Sequence, residues 1–274
     1  ARYGTRLRGR SLRWITGEVG QALEAMTTWH FVIESVDGPT PSGVYTITAQ
    51  DVLKLADGDR ALYPRPCDGF LLGGITSGAT TATLGPSGIG NLQYAASGFV
   101  AIGGKEVCAF TRSGDTLTLT RATTIPGTSY ETEVAAHSAG SRVQMCEYIG
   151  GEDAADILYS IFADAAGVPT SYMDLAAWQI ETDAYLGTVY TTMLCEPTPA
   201  ATLLSELIAQ AALTVWWDPQ AQQIRLRALR NVATDPSAIT ESEMLEGSLG
   251  TQEQPNARIS EVLTYFGLRN PLKS

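Results

Sequence analysis

Gly98-Phe99-Val100-Ala101-Ile102-Gly103-Gly104-Lys105-Glu106-Val107-Cys108-Ala109-Phe110, then Thr111-Arg112-Ser113-Gly114-Asp115-Thr116-Leu117-Thr118-Leu119-Thr120, decides the fold class. Two adjacent glycines between strand-like runs signal a type I′ hairpin, whose two central positions need positive φ. Leu117 and Leu119 alternate with threonine, the period of a half-buried strand. The stretch therefore predicts a meander of at least three strands. Arg142-Val143-Gln144-Met145-Cys146-Glu147-Tyr148 supplies a closing strand. Gly, Thr, Ser and Ala dominate the whole of residues 67–148, which predicts a separate small β module.

On its N-terminal side, Phe31-Val32-Ile33-Glu34-Ser35-Val36 and Val44-Tyr45-Thr46-Ile47-Thr48-Ala49 predict two strands. The Gly- and Pro-rich stretch 37–43 between them predicts a long-looped hairpin. Val52-Leu53-Lys54-Leu55-Ala56 suits one helical turn, and Pro64-Arg65-Pro66 a stiff linker. On the C-terminal side, Ala154, Ile157, Leu158, Ile161, Phe162 and Ala165 fall on one face of a helix over 152–166. Glu152 and Asp153 suit its start, and Gly167 and Pro169 its end. A second helix is expected over 174–185. A third should open with Thr198 capping Pro199. Leu213-Thr214-Val215-Trp216-Trp217 and Ile224-Arg225-Leu226-Arg227-Ala228 predict a hairpin turning at Asp218-Pro219. After a polar link, 258–266 predicts a last alternating strand that returns to a sheet elsewhere.

Of the 274 residues 17% are charged, below the usual ~25%, and there are 18 basic against 29 acidic groups, a net charge of −11. The first 14 residues hold Arg2, Arg6, Arg8, Arg10 and Arg13 and no acid, so the rest is more acidic than the whole. Such a body is a poor binder of phosphate backbones. The basic start reads either as an arginine-bearing edge strand or as a grip on an acidic partner. The chain begins at Ala1 with no signal-peptide pattern, which suggests a processed start or, the preferred reading, a segment of a longer protein. No run approaches the ~18 apolar residues of a membrane span.

The residues of catalysis are scattered. Cys67, Cys108, Cys146 and Cys195 make no CxxC, and only His30 and His137 could join them, so neither a metal site nor a cofactor is expected. Reduced thiols are expected. Gly85-Pro86-Ser87-Gly88-Ile89 fails as a nucleophile elbow, and Gly104-Lys105-Glu106 fails as a phosphate loop. His137, followed by Ser138, reads as a turn residue. The expectation is a protein without enzymatic activity. Trp216 and Trp217 project to opposite faces of one strand, which suits one ring in the core and one at an interface; the other reading is a carbohydrate platform.

Several stretches, in order, resemble the tail-hub proteins of long-tailed, siphovirus-like bacteriophages. Val44-Tyr45-Thr46-Ile47-Thr48-Ala49-Gln50-Asp51-Val52-Leu53-Lys54-Leu55-Ala56 looks like the end of their first barrel-like domain. Ile102-Gly103-Gly104-Lys105-Glu106-Val107, the run Ser113 to Arg121, and Ala136-His137-Ser138-Ala139-Gly140 look like the β module that follows. Ala166-Gly167-Val168-Pro169, Glu196-Pro197-Thr198 and Trp216-Trp217-Asp218 are similar to the mixed domain, and 258–271 to its returning strand. After Arg121-Ala122 the loop is longer than the family pattern.

The resemblance implies a β-rich α+β fold in four parts. These are a barrel-like β domain at 1–66 with a returning strand from 256–270, an inserted β module at 67–148, a mixed helix and hairpin domain at 149–235, and a link with the returning strand at 236–274. It implies a virion protein of the tail tip, assembled in the bacterial host cytoplasm. Its partners would be two further copies in a trimeric ring, a distal tail protein, tip or fibre proteins and the tape-measure protein, around the path of ejected DNA. Arg2, Arg6, Arg8, Arg10, Trp216 and Trp217 are the interface candidates. Alternatives are a carbohydrate-binding receptor-recognition module and a part of a tail-associated cell-wall hydrolase.

Overall fold

The computed structural model describes residues 7–127 and 131–230. The molecule is a strand-rich α+β protein with several sheets, one of them seven-stranded. It opens with an antiparallel sheet of β1 (Ser11–Thr16), β2 (Thr27–Asp37) and β3 (Thr46–Gln50). β2 is central, pairing Trp14 with Trp29 on one side and Val36 with Ile47 on the other. Its ladder shifts between Ile33 and Ser35, a bulge that keeps Ile33 and Val36 on one face. Among the described residues, β1 and β3 are the outer strands of an open sheet, and no sheet closes into the expected barrel. The strand expected at 258–266 lies outside the described residues.

A 3-10 helix, Val52–Asp57, follows as expected, then β4 (Leu62–Tyr63), β5 (Phe70–Leu71) and β6 (Thr81–Gly85). A short helix α1 (Ile89–Gln93) leads to β7 (Ser97–Ile102), β8 (Glu106–Ser113), β9 (Thr116–Thr120) and β10 (Val143–Asp153). The β7–β8 turn has Gly103 and Gly104 at φ 61° and 65°, closed by Lys105 N–H donating to the Ile102 carbonyl. That is the double-glycine turn expected, with Lys105 added before Glu106 pairs with Ile102. Leu117 and Leu119 are buried and Thr116, Thr118 and Thr120 exposed, as alternation requires.

The boundary expected at 148/149 between module and mixed domain, with Gly150 and Gly151 just after it, falls inside β10. This strand continues past a bulge between Gly150 and Glu152. It therefore pairs with β7 through Val143–Cys146 and with β11 (Val189–Leu194) through Glu147–Asp153. The sheet order is β11-β10-β7-β8-β9-β6-β5. Extending β10 delays the expected helix. α2 (Ala154–Ser160) starts at Ala154, with Asp153 accepting from Ala155 N–H at 2.7 Å, and a π-helical turn, Ile161–Ala165, completes it. α3 (Leu175–Tyr185) is capped by Asp174. Thr198 and Pro199 form a two-residue strand, β12, on β4, and α4 (Ala200–Gln210) starts after them, so Thr198 is not a cap. Its hydroxyl instead donates to the Glu196 carbonyl. β13 (Leu213–Asp218) and β14 (Gln223–Ala228) make the expected hairpin.

Two large cores result. One joins Val52, Ala56 and Tyr63 to α2, α3, α4 and the β13–β14 hairpin. The other fills the β module, around Leu71, Leu84, Val100, Ile102, Phe110 and Leu117. A small third cluster, Ala101, Val107, Ile125, Cys146, Met193 and Cys195, sits where β10 and β11 leave the module.

Candidate functional site

The interface candidates separate in space. Trp217 is 9% exposed, its Nε1–H donates to the His30 carbonyl at 2.8 Å, and its ring meets Tyr172 edge-on. His30 N–H in turn donates to the Pro219 carbonyl, so Trp217 and the hairpin turn dock against β2. Trp216 is 41% exposed, opposite Arg225. The two rings do face opposite sides, and only Trp216 keeps a surface for a partner. Arg8 and Arg10 are exposed just before β1, and Arg2 and Arg6 lie outside the described residues.

The sheet that these residues border has two unlike faces. Trp14 and Trp29 stack with ring centroids 5.0 Å apart, which fixes them on one face. By the ladder, Leu12, Phe31, Ile33, Val36, Ile47 and Ala49 share it. Trp14 is 59% and Ile47 47% exposed, while Leu12, Trp29, Phe31 and Val36 are half-buried. The opposite face carries mostly polar residues, among them Ser11, Arg13, Thr28, His30 and Gln50, with Val32 packed on the larger core. A soluble sheet ordinarily turns its apolar face inward. Here Trp14 and Ile47 leave that face partly open to solvent, although Ile33 on it is buried.

Sequence reasoning missed the most organised polar cluster. Glu106 is 0% exposed. Its Oε1 accepts from Arg121 Nε at 2.5 Å and from Cys108 Sγ at 3.4 Å. Its Oε2 accepts from Arg121 Nη2 at 2.5 Å, His137 Nε2 at 2.9 Å and Ala135 N–H at 3.1 Å. The other Arg121 donors reach the carbonyls of Thr76, Ala79 and Ala135, so the whole guanidinium is used. Burial alone raises the Glu106 pKa, but the hydrogen bonds from Arg121, His137, Ala135 and Cys108 together outweigh it and hold the carboxyl at about 2. Burial and the adjacent carboxylate push the Cys108 thiol up to about 12. His137 is not in a turn: it bridges to Ile75 in a short antiparallel contact and is buried.

The signal was present. Glu106 is in phase with Cys108 and Phe110 on β8, so period two places it inward. The pairing of Ala109 with Thr120, which only the structure shows, brings Arg121 alongside Cys108. With Glu106 fully buried and the Arg121 guanidinium spread over a carboxylate and three carbonyls, the trio ties the 131–137 segment to the sheet.

A cavity of about 510 Å3 opens between the module and the segment that follows β11, lined by Pro66, Ala101, Arg142, Gln144, Cys195 and Glu196. Gln144 is itself saturated, accepting from Cys67 N–H and donating to the carbonyls of Arg65 and Met145. Among the described residues, no group of three or more His, Cys, Asp or Glu is placed to hold a metal ion. No helix of the described residues is long and apolar enough to cross a membrane. No family model, curated protein or solved structure matches this chain.

Proposed function

We propose that this chain is a structural subunit of a bacteriophage tail tip: a hub ring made of copies of itself that joins the tail tube to distal tip or fibre proteins and surrounds the DNA exit path. The observation that carries the reading is the partly open apolar face of the β1–β2–β3 sheet, whose outer strands also leave unpaired ladder edges among the described residues. Such a face with open edges is stable in water when another surface covers it, and a closed ring of identical copies covers it without leaving a growing end. The ordered resemblance to tail hubs supplies the identity of the ring. The acid excess suits a channel that DNA must pass without sticking, since duplex DNA carries roughly one negative charge per 1.7 Å of axis. Threefold symmetry, a distal tail ring above and fibre or tape-measure contacts below belong to the same reading, and it assigns the chain no catalytic chemistry.

Immunogold labelling of virions that contain the chain tests it. Gold at the distal end of the tail supports the hub, and gold on the capsid or along the whole tail overturns it. Native mass spectrometry of the full chain should show a trimer that Trp14→Asp with Ile47→Asp reduces to monomer, with an unchanged far-ultraviolet spectrum.

A further inference from the structure

Cys146 and Cys195 stand on neighbouring strands. The β10–β11 ladder pairs Glu147 with Leu194 and Tyr148 with Met193, so one step further along the same register Cys146 faces Cys195. Residues directly opposite in an antiparallel pair project to the same side. Both cysteines are buried in the small cluster with Ala101, Val107, Ile125 and Met193, and the Cys146 thiol donates weakly to the Gln144 carbonyl at 3.9 Å. Opposed Cα atoms lie roughly 4.5 or 5.5 Å apart according to the ladder position. Both spacings fall within the roughly 4.4–6.8 Å that a disulfide spans. The other two cysteines are engaged differently: Cys67 Sγ donates toward the Arg65 and Gln93 carbonyls, and Cys108 Sγ donates to Glu106.

We propose that Cys146 and Cys195 form a dithiol site that closes to a cross-strand disulfide by exchange with a small aliphatic disulfide such as oxidised glutathione. Cys195 lines the cavity of about 510 Å3, a size that takes a small organic molecule, together with Arg142, Gln144 and Glu196. Proximity of the Cys195 thiol, and burial, hold the Cys146 thiol well above its ordinary range. Cys195, which lines the cavity, meets the small disulfide first: its thiol gives up its proton to water and attacks one sulfur, releasing one small thiolate. Cys146, deprotonated in turn, attacks the Cys195 sulfur of the mixed disulfide and expels the second. The protein loses two electrons and two protons, and one small disulfide becomes two thiols. The new bond joins β10 to β11 at the point where the two large cores meet. A reducing cytoplasm keeps the pair open, and an oxidising medium closes it.

The full chain, purified reduced and desalted, is incubated with oxidised glutathione, alkylated in denaturant and mapped by mass spectrometry. Two of the four cysteines should escape alkylation, and a digest should give one linked peptide pair holding Cys146 and Cys195. Cys146→Ser should stop at a stable glutathione adduct on Cys195, whereas Cys195→Ser should leave Cys146 free. The oxidised wild type should unfold at higher urea, reversed by dithiothreitol. Four alkylated cysteines after oxidation, or a bond between another pair, overturns the proposal. If either serine variant fails to fold, the wild-type peptide map decides alone.

Discussion

Glu106 is the residue on which the module's polar interior turns. Removing one partner of a buried ion pair leaves the other charged and unsolvated, which costs roughly 3–5 kcal/mol, more than an exposed pair is worth. Glu106→Gln keeps the shape but leaves Arg121 without its counter-charge, so urea denaturation should show a loss of about that size. The pH dependence has a definite sign. The folded carboxyl titrates at about 2 and its ordinary value is 4.5, so its contribution is complete above 4.5 and disappears as pH falls from there toward 2. The stability gap between wild type and Glu106→Gln should therefore narrow over that window, and a gap that stayed constant down to pH 2 would contradict the ion-pair account. This residue was legible as inward-facing from strand period alone. Its partners were not, because Arg121 and His137 reach it from beyond β9 and from a loop, where pattern carries no information about direction. The Trp pair shows the opposite case. Alternation placed one ring inside, but only the docking of the hairpin turn on His30 made that ring Trp217.

Strands and helices were legible where a period ran uninterrupted, and their ends were not. The β7–β8 and β13–β14 hairpins follow from glycine and Asp-Pro turn chemistry between alternating runs. The start of α2 was misplaced because Glu152 and Asp153 suit a first helical turn, whereas cross-strand pairing with Tyr190 and Val189 holds both in β10. Thr198 was misread for a related reason: pairing with Tyr63 recruits it into a strand. The two helices with observed side-chain caps allow a graded test. Asp153 Oδ1 accepts from Ala155 N–H and also from the buried Thr182 hydroxyl at 2.7 Å, tying α2 to α3. The Asp174 side chain accepts only from Ala177 N–H, at 3.1 Å, on an exposed turn. Cap removal costs ~0.5–2 kcal/mol. Asp153→Ala should fall at the upper end of that range and Asp174→Ala at the lower, measured as shifts in urea midpoint at constant slope. Equal losses would mean that the Thr182 contact adds nothing.

Composition marked out residues 67–148 as a unit, and the module core draws all its buried members from within that span. The larger core draws none from it, running instead from Val52–Tyr63 to the segment after Tyr148. What composition could not show is that the two are joined by a shared strand: β10 begins on β7 and ends on β11, and a glycine pair that reads as a linker becomes a bulge inside it. This continuity decides what a deletion of 68–147 should do when its ends are joined. The larger core keeps all its buried residues, so helical ellipticity and the near-ultraviolet signal of Trp178 and Trp217 should survive. Met193 and Cys195, however, lose Ala101, Val107, Ile125 and Cys146, the residues that bury them. An apolar strip on β11 is then left at a sheet edge, where exposed hydrophobic strands pair with copies of themselves. The shortened chain should fold but self-associate, and Met193→Ser in that background should restore a monomer by light scattering. Loss of the tryptophan signal along with the module would instead show that the larger core needs the β7 edge in order to form.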